Sequence, residues 1–196
     1  MHIIGLGPFT SGTQRNAYET AFYLLILTEF LILLLSWKNS GGEKKKTDRG
    51  SRTAIVCGFC VVIFVSFSRI FVRTLPAACS YPGTALLLFG IAFRCWAVWT
   101  LRSFFTLSVQ TGKEQTLVQS GPYRLIRHPA YTGGILELAG IALGVRSLPG
   151  LICAMIVSAA VYGYRIHTEE RALREHFGKL YEEYSKRTWQ LFPYIF

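Results

Sequence analysis

Charged residues are scarce in this sequence. They make up 16% of the 196 residues, whereas about a quarter is usual in a soluble globular domain. Hydrophobic residues make up 51%, and the aromatic residues comprise 14 Phe, 10 Tyr and 4 Trp. This composition excludes an intrinsically disordered chain, because disordered chains are poor in apolar and aromatic residues. The length excludes a large multidomain enzyme.

The usual signatures of disulfide, metal and nucleotide sites are also missing. The five cysteines are an odd number scattered mainly through apolar runs, which argues against a disulfide framework. Cys57 and Cys60 have the C-x-x-C spacing of a redox or zinc site, but no second pair of ligands accompanies them, so we expect them to pack in the core. No two histidines are four residues apart, and no Gly-rich nucleotide fingerprint is present. We expect no metal site.

Long hydrophobic runs take the place of these motifs. Five of them stand out, at 17–37, 54–72, 83–101, 130–145 and 148–166. Four are long enough as helices to cross a bilayer, which needs about 20 residues and at least about 17. The fourth has 16 residues and is separated from the fifth only by Arg146 and Ser147. Nearly every helical face in these runs is apolar, which favours contact with lipid over a soluble core.

The sequence therefore predicts an all-α fold, a multi-pass membrane helix bundle with five transmembrane helices. Helices 4 and 5 would form a hairpin with Pro149 near its tip. Apolar residues at helical spacing over 168–188 predict a C-terminal amphipathic helix. The chain 1–196 would be a single integral membrane domain, with helices 1–3 in 1–102 and helices 4–5, a loop and the tail in 103–196. No small-x-small site follows the first run, so we expect no cleaved signal peptide.

The basic residues predict how this bundle is oriented. The segments 38–53 and 102–133 and the tail from residue 165 hold 16 of the 21 lysines and arginines. In a five-helix chain all three lie on one side of the membrane. The positive-inside rule then places them in the cytosol and the amino terminus outside. The net charge of +10 is thus a topology signal, and we expect a lipid membrane rather than nucleic acid as partner.

Polar residues concentrate at two places in the second half. The stretch 115–134 reads QTLVQSGPYRLIRHPAYTGG, where Pro129 suits a first helical turn and leaves His128 at the helix start. Free amides and the positive end of the helix dipole there suit an anionic group. At 162–171, Arg165 and Glu169 would share one helical face. The alternatives are a membrane-entry loop with interfacial anchors and an ordinary intrahelical ion pair.

These two stretches resemble a known family. Arg127-His128-Pro129-x-Tyr131-x-Gly133, followed about forty residues later by Glu169-Glu170, resembles the signature of the isoprenylcysteine carboxyl methyltransferases, whose wider family includes phospholipid methyltransferases. The resemblance extends from Gln110 to the carboxyl terminus. It includes Leu117-Val118, Gly121-x-Tyr123 and Phe177-Gly178-x-x-Tyr181-x-x-Tyr184-x-x-x-Thr188.

The resemblance implies an integral membrane methyltransferase with its cofactor-binding, catalytic half in 103–196. The cofactor would be S-adenosylmethionine, and the product S-adenosylhomocysteine. The implied cofactor contacts are Gln110, Gln115, Thr116, Leu117, Val118, Tyr123, His128, Pro129, Ala130, Tyr131 and Glu169. Arg165 would bind the methyl acceptor, so Arg165 and Glu169 are the implied catalytic residues.

The methyl acceptor follows less directly from the residues. Methyl transfer from a sulfonium is an in-line displacement, so donor and acceptor must be aligned. A carboxylate, such as that of an isoprenylcysteine or a similar lipophilic acceptor, needs no base, and Arg165 can hold it by two parallel hydrogen bonds. A lipid amine would need deprotonation by Glu169, Glu170 or His167. Both acceptors would be methylated at the cytosolic face.

Three alternative functions remain. A phospholipid amine methyltransferase would use the same cofactor. A sterol-type reductase using NADPH resembles the family's carboxyl-terminal architecture, although such reductases are longer. A non-catalytic membrane interaction protein is the third, for which Gly140-x-x-x-Gly144 is a typical helix-packing motif.

Three charges inside the hydrophobic runs carry a separate prediction. At a rise of about 1.5 Å per residue, Glu29, Arg94 and Glu137 each lie about 10 to 12 Å below the cytosolic edge. Charges at that depth are unfavourable unless they are paired or line a polar cavity. We expect Arg94 to bridge Glu29 or Glu137 and to form the inner wall of the acceptor cavity. Snorkelling of Arg94 to the interface is the alternative.

Overall fold

Six helices account for nearly all regular structure in the described part of the chain, as the sequence predicts. A computed structural model describes residues 9, 11–39, 45–46, 50–68, 75–101, 110–111 and 117–194. The α-helices are α1 Gly12–Asn39, α2 Ser51–Phe67, α3 Ser80–Leu101, α4 Pro129–Gly144, α5 Leu148–Phe177 and α6 Lys179–Arg187. Short 3-10 turns at Ala77–Cys79 and Gly121–Arg124 precede α3 and α4. Two residue pairs, β1 Lys45–Lys46 and β2 Gln110–Thr111, form an antiparallel ladder.

Three of these helices are long and apolar enough to cross a membrane. They are α1, the continuous stretch Ala77–Leu101 that contains α3, and α5. The remaining apolar helices are shorter, with 17 residues in α2 and 16 in α4. Large apolar side chains such as Phe30, Phe64 and Trp99 are exposed on the outer surfaces, as on lipid-facing helices. Membrane helices are therefore present, whereas the count of five spans stays a prediction.

The outward face of α2 corrects one expectation. Cys57 and Cys60 are exposed, so the prediction that they pack in the core is wrong. The opposite face of α2 carries Ile55, Phe59 and Val62, which are buried. Since α2 packs mainly against α5, the exposed apolar side chains on its other face point away from the protein. Apolar character on all sides of a helix cannot show which face is inside.

The tightest packing joins α3 to α4, and glycines make it possible. A Cβ added at Gly83 or Gly90 of α3 would lie within 3.0 Å of backbone atoms of α4. A Cβ at Gly140 would lie 2.5 Å from the backbone nitrogen of Leu87 in α3, and one at Gly144 would lie 2.2 Å from the Tyr18 ring in α1. The Gly140-x-x-x-Gly144 motif thus packs helices within this chain, which removes the reason for assigning it to a protein partner.

A buried ion cluster connects three helices. Arg94 of α3 lies with its Nε 3.0 Å from Oε1 of Glu29 in α1 and with one terminal nitrogen 3.6 Å from Oε2 of Glu137 in α4. Arg94 is 3% exposed and Glu137 is 1% exposed. The predicted bridge is confirmed and includes both glutamates, so Arg94 does not snorkel to the interface.

The carboxyl-terminal helices differ from the prediction. The prediction of one helix over 168–188 is wrong. The transmembrane helix α5 continues through Phe177, and Gly178 interrupts the helical structure before α6 begins. Gly178 has φ 53, a positive value that glycine adopts without the strain of a Cβ. After the break, α6 buries Tyr181 and Tyr184 against the body of the protein. The predicted second helix over 54–72 also ends early, at Phe67.

The loops and the tail meet at one end of the bundle. β1 belongs to the connection between α1 and α2, and β2 to the connection between α3 and α4. Their pairing joins Lys45 to Thr111 and Lys46 to Gln110, while α5 contacts β2. The described parts of the three segments that hold most of the basic residues therefore lie near one another.

Candidate active site

A tyrosine in the first turn of α4 connects the two polar stretches of the sequence. The Tyr131 hydroxyl donates to Oε2 of Glu169 at 2.5 Å and accepts from Nε of Arg165 at 2.8 Å. Arg165 and Glu169 lie one turn apart on α5, with Nε 3.9 Å from Oε2. Their shared face, expected from the four-residue spacing, points toward α4. A cation, a phenol and a carboxylate are thus joined in one network.

Aromatic rings line the same place. The rings of His128 and Tyr131 stack with centroids 5.5 Å apart, and those of Tyr131 and Tyr162 stack at 5.3 Å. His128 is 5% exposed, and its Nδ1 lies 3.9 Å from Oε2 of Glu169. Three stacked rings therefore lie directly beside the hydrogen-bonding groups of the network.

The start of α4 is fixed by proline and by the chain's own tail. Pro129 occupies the first helical turn, and His128 before it has a non-helical backbone with φ −123 and ψ 56. The amide of Arg127 donates to the Trp189 carbonyl at 2.8 Å, and that of His128 to the Gln190 carbonyl at 3.1 Å. These bonds run between backbone groups, so no side-chain pattern in the sequence could reveal them.

Glu170 also holds the start of α4 against the tail. Its Oε1 accepts from Nε of Arg127 at 2.9 Å and from Nε2 of Gln190 at 3.2 Å, and lies 3.4 Å from Nε2 of His128. Its Oε2 lies 3.5 Å from Arg174. The Arg127 guanidinium also donates to the carbonyls of two tail residues, Ser185 and Thr188. Sequence reasoning missed this supporting role, although the adjacent Glu169-Glu170 pair signalled it.

A tyrosine of α6 holds the turn before α4. The Tyr184 hydroxyl donates to the Tyr123 carbonyl at 2.7 Å. Burial raises the pKa of Tyr184 to about 12, an effect that nearby Arg127 partly opposes. The phenol therefore stays protonated at neutral pH and remains a donor. Burial also raises the pKa of Tyr123, so its hydroxyl is neutral as well.

The structure brings some of the predicted site residues together. His128, Tyr131, Arg165 and Glu169 form one contact network, described above. Pro129 and Ala130 are buried in the first turn of α4, and Tyr123 is buried in the turn before it. Leu117 and Val118 are half-buried in the preceding segment. Gln115 and Thr116 lie outside the described residues, and only the backbone of Gln110 is described.

A protein-family profile matches this region of the chain. The profile described as phospholipid methyltransferase matches residues 79–180, just over half of the chain. The chain belongs to this family. The matched segment contains α3, α4 and α5, and therefore the whole network around Tyr131.

Named relatives cover part of the chain. A probable protein-S-isoprenylcysteine O-methyltransferase of Oryza sativa subsp. indica is 30% identical over 118 residues, which are 59% of this chain and 62% of that protein. Protein-S-isoprenylcysteine O-methyltransferase of Rattus norvegicus is 33% identical over 121 residues, 59% of this chain and 42% of that one. The cobalt-zinc-cadmium resistance protein CzcN of Cupriavidus metallidurans is 36% identical over 92 residues, 47% of this chain and 42% of that one. The chain thus matches less than two thirds of each relative.

A solved structure has a similar fold. The eukaryotic intramembrane Ras methyltransferase, an isoprenylcysteine carboxyl methyltransferase, superimposes with a TM-score of 0.68 at 19% identity. The match covers 95% of this chain and 69% of that one. This structural match therefore extends to α1 and α2, which the family profile does not reach.

Proposed function

We propose that this protein is an integral membrane, S-adenosylmethionine-dependent methyltransferase. Its acceptor is the carboxylate of an isoprenylcysteine or of a similar lipophilic molecule, methylated at the cytosolic face of the membrane. The observation that carries the proposal is the network in which the Tyr131 phenol joins Arg165 to Glu169. These residues lie within the segment that matches the methyltransferase family.

The residues present fit the cofactor. Among the described residues, Oε1 of Glu169 has no hydrogen-bond partner, so it can accept from a ribose hydroxyl. His128 and the start of α4 suit the methionine carboxylate. Aromatic rings beside them offer an apolar face for adenine. S-adenosylmethionine bound there supplies a methyl group on a sulfonium, which a nucleophile takes as the sulfur–carbon bond breaks.

We assign binding of the methyl acceptor to Arg165. It is 1% exposed, so only a group that enters the bundle can reach it. A buried guanidinium attracts an anionic group strongly, and a carboxylate already is the nucleophile that the reaction needs. Arg165 therefore positions the acceptor, and no proton has to leave during the transfer.

A phospholipid amine is the second candidate acceptor, favoured by the family profile. An ammonium must lose a proton before it can attack, so this reaction needs a base. Glu170 is unsuited, because Arg127, Gln190 and Arg174 surround its carboxylate. Glu169, through the oxygen that has no hydrogen-bond partner among the described residues, or His167 would have to serve as the base.

We also propose five membrane crossings with the amino terminus outside. β1 and β2 lie side by side, so α2 and α3 between them must return the chain to the same end. Since α3 is long enough to cross, α2 must cross back. Arg127 before α4 contacts Glu170 near the end of α5, so in this proposal α4 and α5 also cross the membrane and return. The short α4 is enclosed by other helices and does not itself have to match the bilayer thickness.

The proposed reaction is tested by transfer of a labelled methyl group. Purified protein in lipid nanodiscs receives S-adenosylmethionine labelled in the methyl group, with either a farnesylcysteine derivative or phosphatidylethanolamine. We expect a base-labile methyl ester on the prenylated acceptor. Label in the phospholipid alone would establish the second candidate, and label in neither acceptor would contradict both.

The role of Arg165 is tested by replacing it with lysine. Lysine keeps the charge but loses the planar fork, so we expect methyl ester formation to fall at least tenfold, mainly through a higher KM for the acceptor. Arg187→Lys on the exposed face of α6 is the matched control. Equal rates for both variants would contradict a contact between Arg165 and the acceptor.

A further inference from the structure

A groove runs along α5, mostly on a different face of this helix from Arg165. It encloses about 760 Å³. One part of its lining is apolar and includes Ile135 of α4, Met155 and Ala159 of α5, and Leu191 and Phe192 of the tail. This part lies along the apolar stretch of α5 that is long enough to cross a membrane. It therefore has the surface that an acyl chain needs.

The other part of the groove is basic. His167, Arg171 and Arg174 line it, together with Glu170. The Glu170 carboxylate is already surrounded by Arg127 and His128 at the start of α4 and by Arg174 of α5. Arg171 is exposed and has no ion-pair partner among the described residues. The end of the groove therefore carries positive charge that the protein itself does not neutralise.

The groove is separate from the candidate active site. Successive residues of an α-helix are rotated by about 100°. Relative to Arg165, Glu169 is rotated by about 40°, whereas most of the α5 residues that line the groove, such as Ala159, Gly163 and Arg174, are rotated by about 100 to 180°. Ser158, two turns before Arg165, is the lining residue on the Arg165 face. A ligand in the groove would thus contact mainly a different face of α5 from one held by Arg165.

Gly163 marks the middle of the groove. Glycine inside a helix is less favourable than alanine. Apart from Gly12 at the start of α1, an added Cβ at the other described glycines of the α-helices would meet a neighbouring atom within 3.0 Å, which accounts for glycine there. At Gly163 it would meet nothing within 4 Å. No close approach of protein explains this glycine, so the open space beside it belongs to the groove.

We propose that the groove binds one anionic phospholipid that is not a substrate. Its acyl chain lies against the apolar lining, and its phosphate lies between Arg171 and Arg174. The bound lipid also covers Leu191 and Phe192, which follow the tail residue bonded to His128. Lipid binding therefore stabilises the tail against the start of α4. This inference does not rest on the proposed methyl transfer, because it needs neither cofactor nor acceptor.

Native mass spectrometry of the detergent-purified protein tests the proposal without any cofactor. We expect one phosphatidylglycerol to remain bound and phosphatidylcholine to bind at least tenfold more weakly. Inorganic phosphate should not displace the lipid, since it lacks the acyl chain. Arg171→Gln and Gly163→Leu should each reduce retention at least fivefold, by removing the cation and by filling the apolar part.

Two matched controls keep the result interpretable. Lys186→Gln removes a cation of the same surface outside the groove, and Gly163→Ala adds only a Cβ, so both should bind lipid like the parent. Equal retention of both lipids by the parent, or full retention by Gly163→Leu, would overturn the proposal. A bound lipid that gains a methyl group when S-adenosylmethionine is added would also overturn it, because that lipid would be the acceptor.

Discussion

At the scale of single residues, one phenol organises the candidate site. Tyr131 accepts from a buried arginine and donates to a carboxylate, so it stabilises both charges inside the bundle. A hydrogen bond to a charged group contributes about 1.5 to 3 kcal/mol. The phenol therefore stabilises the fold and sets the distance between Arg165 and Glu169 at the same time.

Tyr131→Phe separates these hydrogen bonds from the packing of the ring. Phenylalanine keeps the stacking on His128 and Tyr162 but removes the hydroxyl that accepts from Arg165 and donates to Glu169. We expect the free energy of unfolding in mixed micelles to fall by about 2 kcal/mol. Tyr164→Phe, an exposed position on α5, is the control. Equal stability of the two variants would show that the network contributes nothing.

The hydrogen bond of Tyr184 predicts a pH dependence. Because burial raises the pKa of Tyr184 to about 12, its contribution is complete below pH 10 and is lost as the pH rises toward 12. The stability difference between the parent and Tyr184→Phe should stay constant up to pH 10 and shrink above it. Chemical unfolding at a series of pH values measures this. A difference that grows above pH 10 would contradict the assignment of the phenol as donor.

The roles of some of these residues can be predicted from the sequence, and the roles of others cannot. His128, Tyr131 and Glu169 belong to a motif that can be recognised in a single chain. The ring stacking of Tyr162 on Tyr131 and the contacts of Glu170 depend on how α4 and α5 pack together. Apolar helices give no periodic signal for that packing, so these contacts could not be predicted.

At the scale of helices, α3 and α4 depend on small residues and one buried charge cluster. Gly90 lets the backbone of α4 approach, and Arg94 one turn later extends to Glu137 and Glu29. Two carboxylates around one guanidinium leave no buried charge without an opposite charge nearby. The cluster therefore connects α1 and α3 to α4, in the half of the chain that carries the site.

Arg94→Leu should destabilise the solubilised protein strongly. Removing one partner of a buried ion pair costs about 3 to 5 kcal/mol, because the remaining charges are left uncompensated. Adding Glu137→Gln should recover part of this loss, as coupled sites do. Thermal unfolding of the parent, the single variants and the double variant measures the coupling. Additive effects would mean that Arg94 and Glu137 act independently.

The contact of Arg94 with Glu29 and Glu137 could be predicted because helical rise is constant, so similar distances from the helix ends place the three side chains at one level. The end of α5 could not be predicted, because the charged and apolar residues of 168–188 continue a helical pattern through Gly178. A positive φ at Gly178 ends the helix, and side-chain periodicity does not report backbone angles. The level of a side chain along a helix thus follows from counting residues, whereas the position of a helix end depends on single residues such as Gly178.

At the scale of the whole molecule, the basic loops and the tail share one end. This arrangement predicts labelling from a single side of the membrane. One cysteine within 44–46 and one in place of Glu183, each on a cysteine-free background, should react with an impermeant reagent from the same side of sealed vesicles. A cysteine in place of Thr111 should behave alike. Labelling from opposite sides would mean an odd number of crossings between the two positions.

Binding of the methyl donor tests the central claim most directly. Calorimetric titration of the detergent-purified protein should show binding of S-adenosylmethionine and none of NADPH. Glu169→Gln should weaken this binding at least tenfold, which corresponds to about 1.4 kcal/mol, while Glu175→Gln on the exposed face of α5 should bind like the parent. Binding of NADPH instead, or unchanged affinity in Glu169→Gln, would contradict a methyltransferase site around Tyr131.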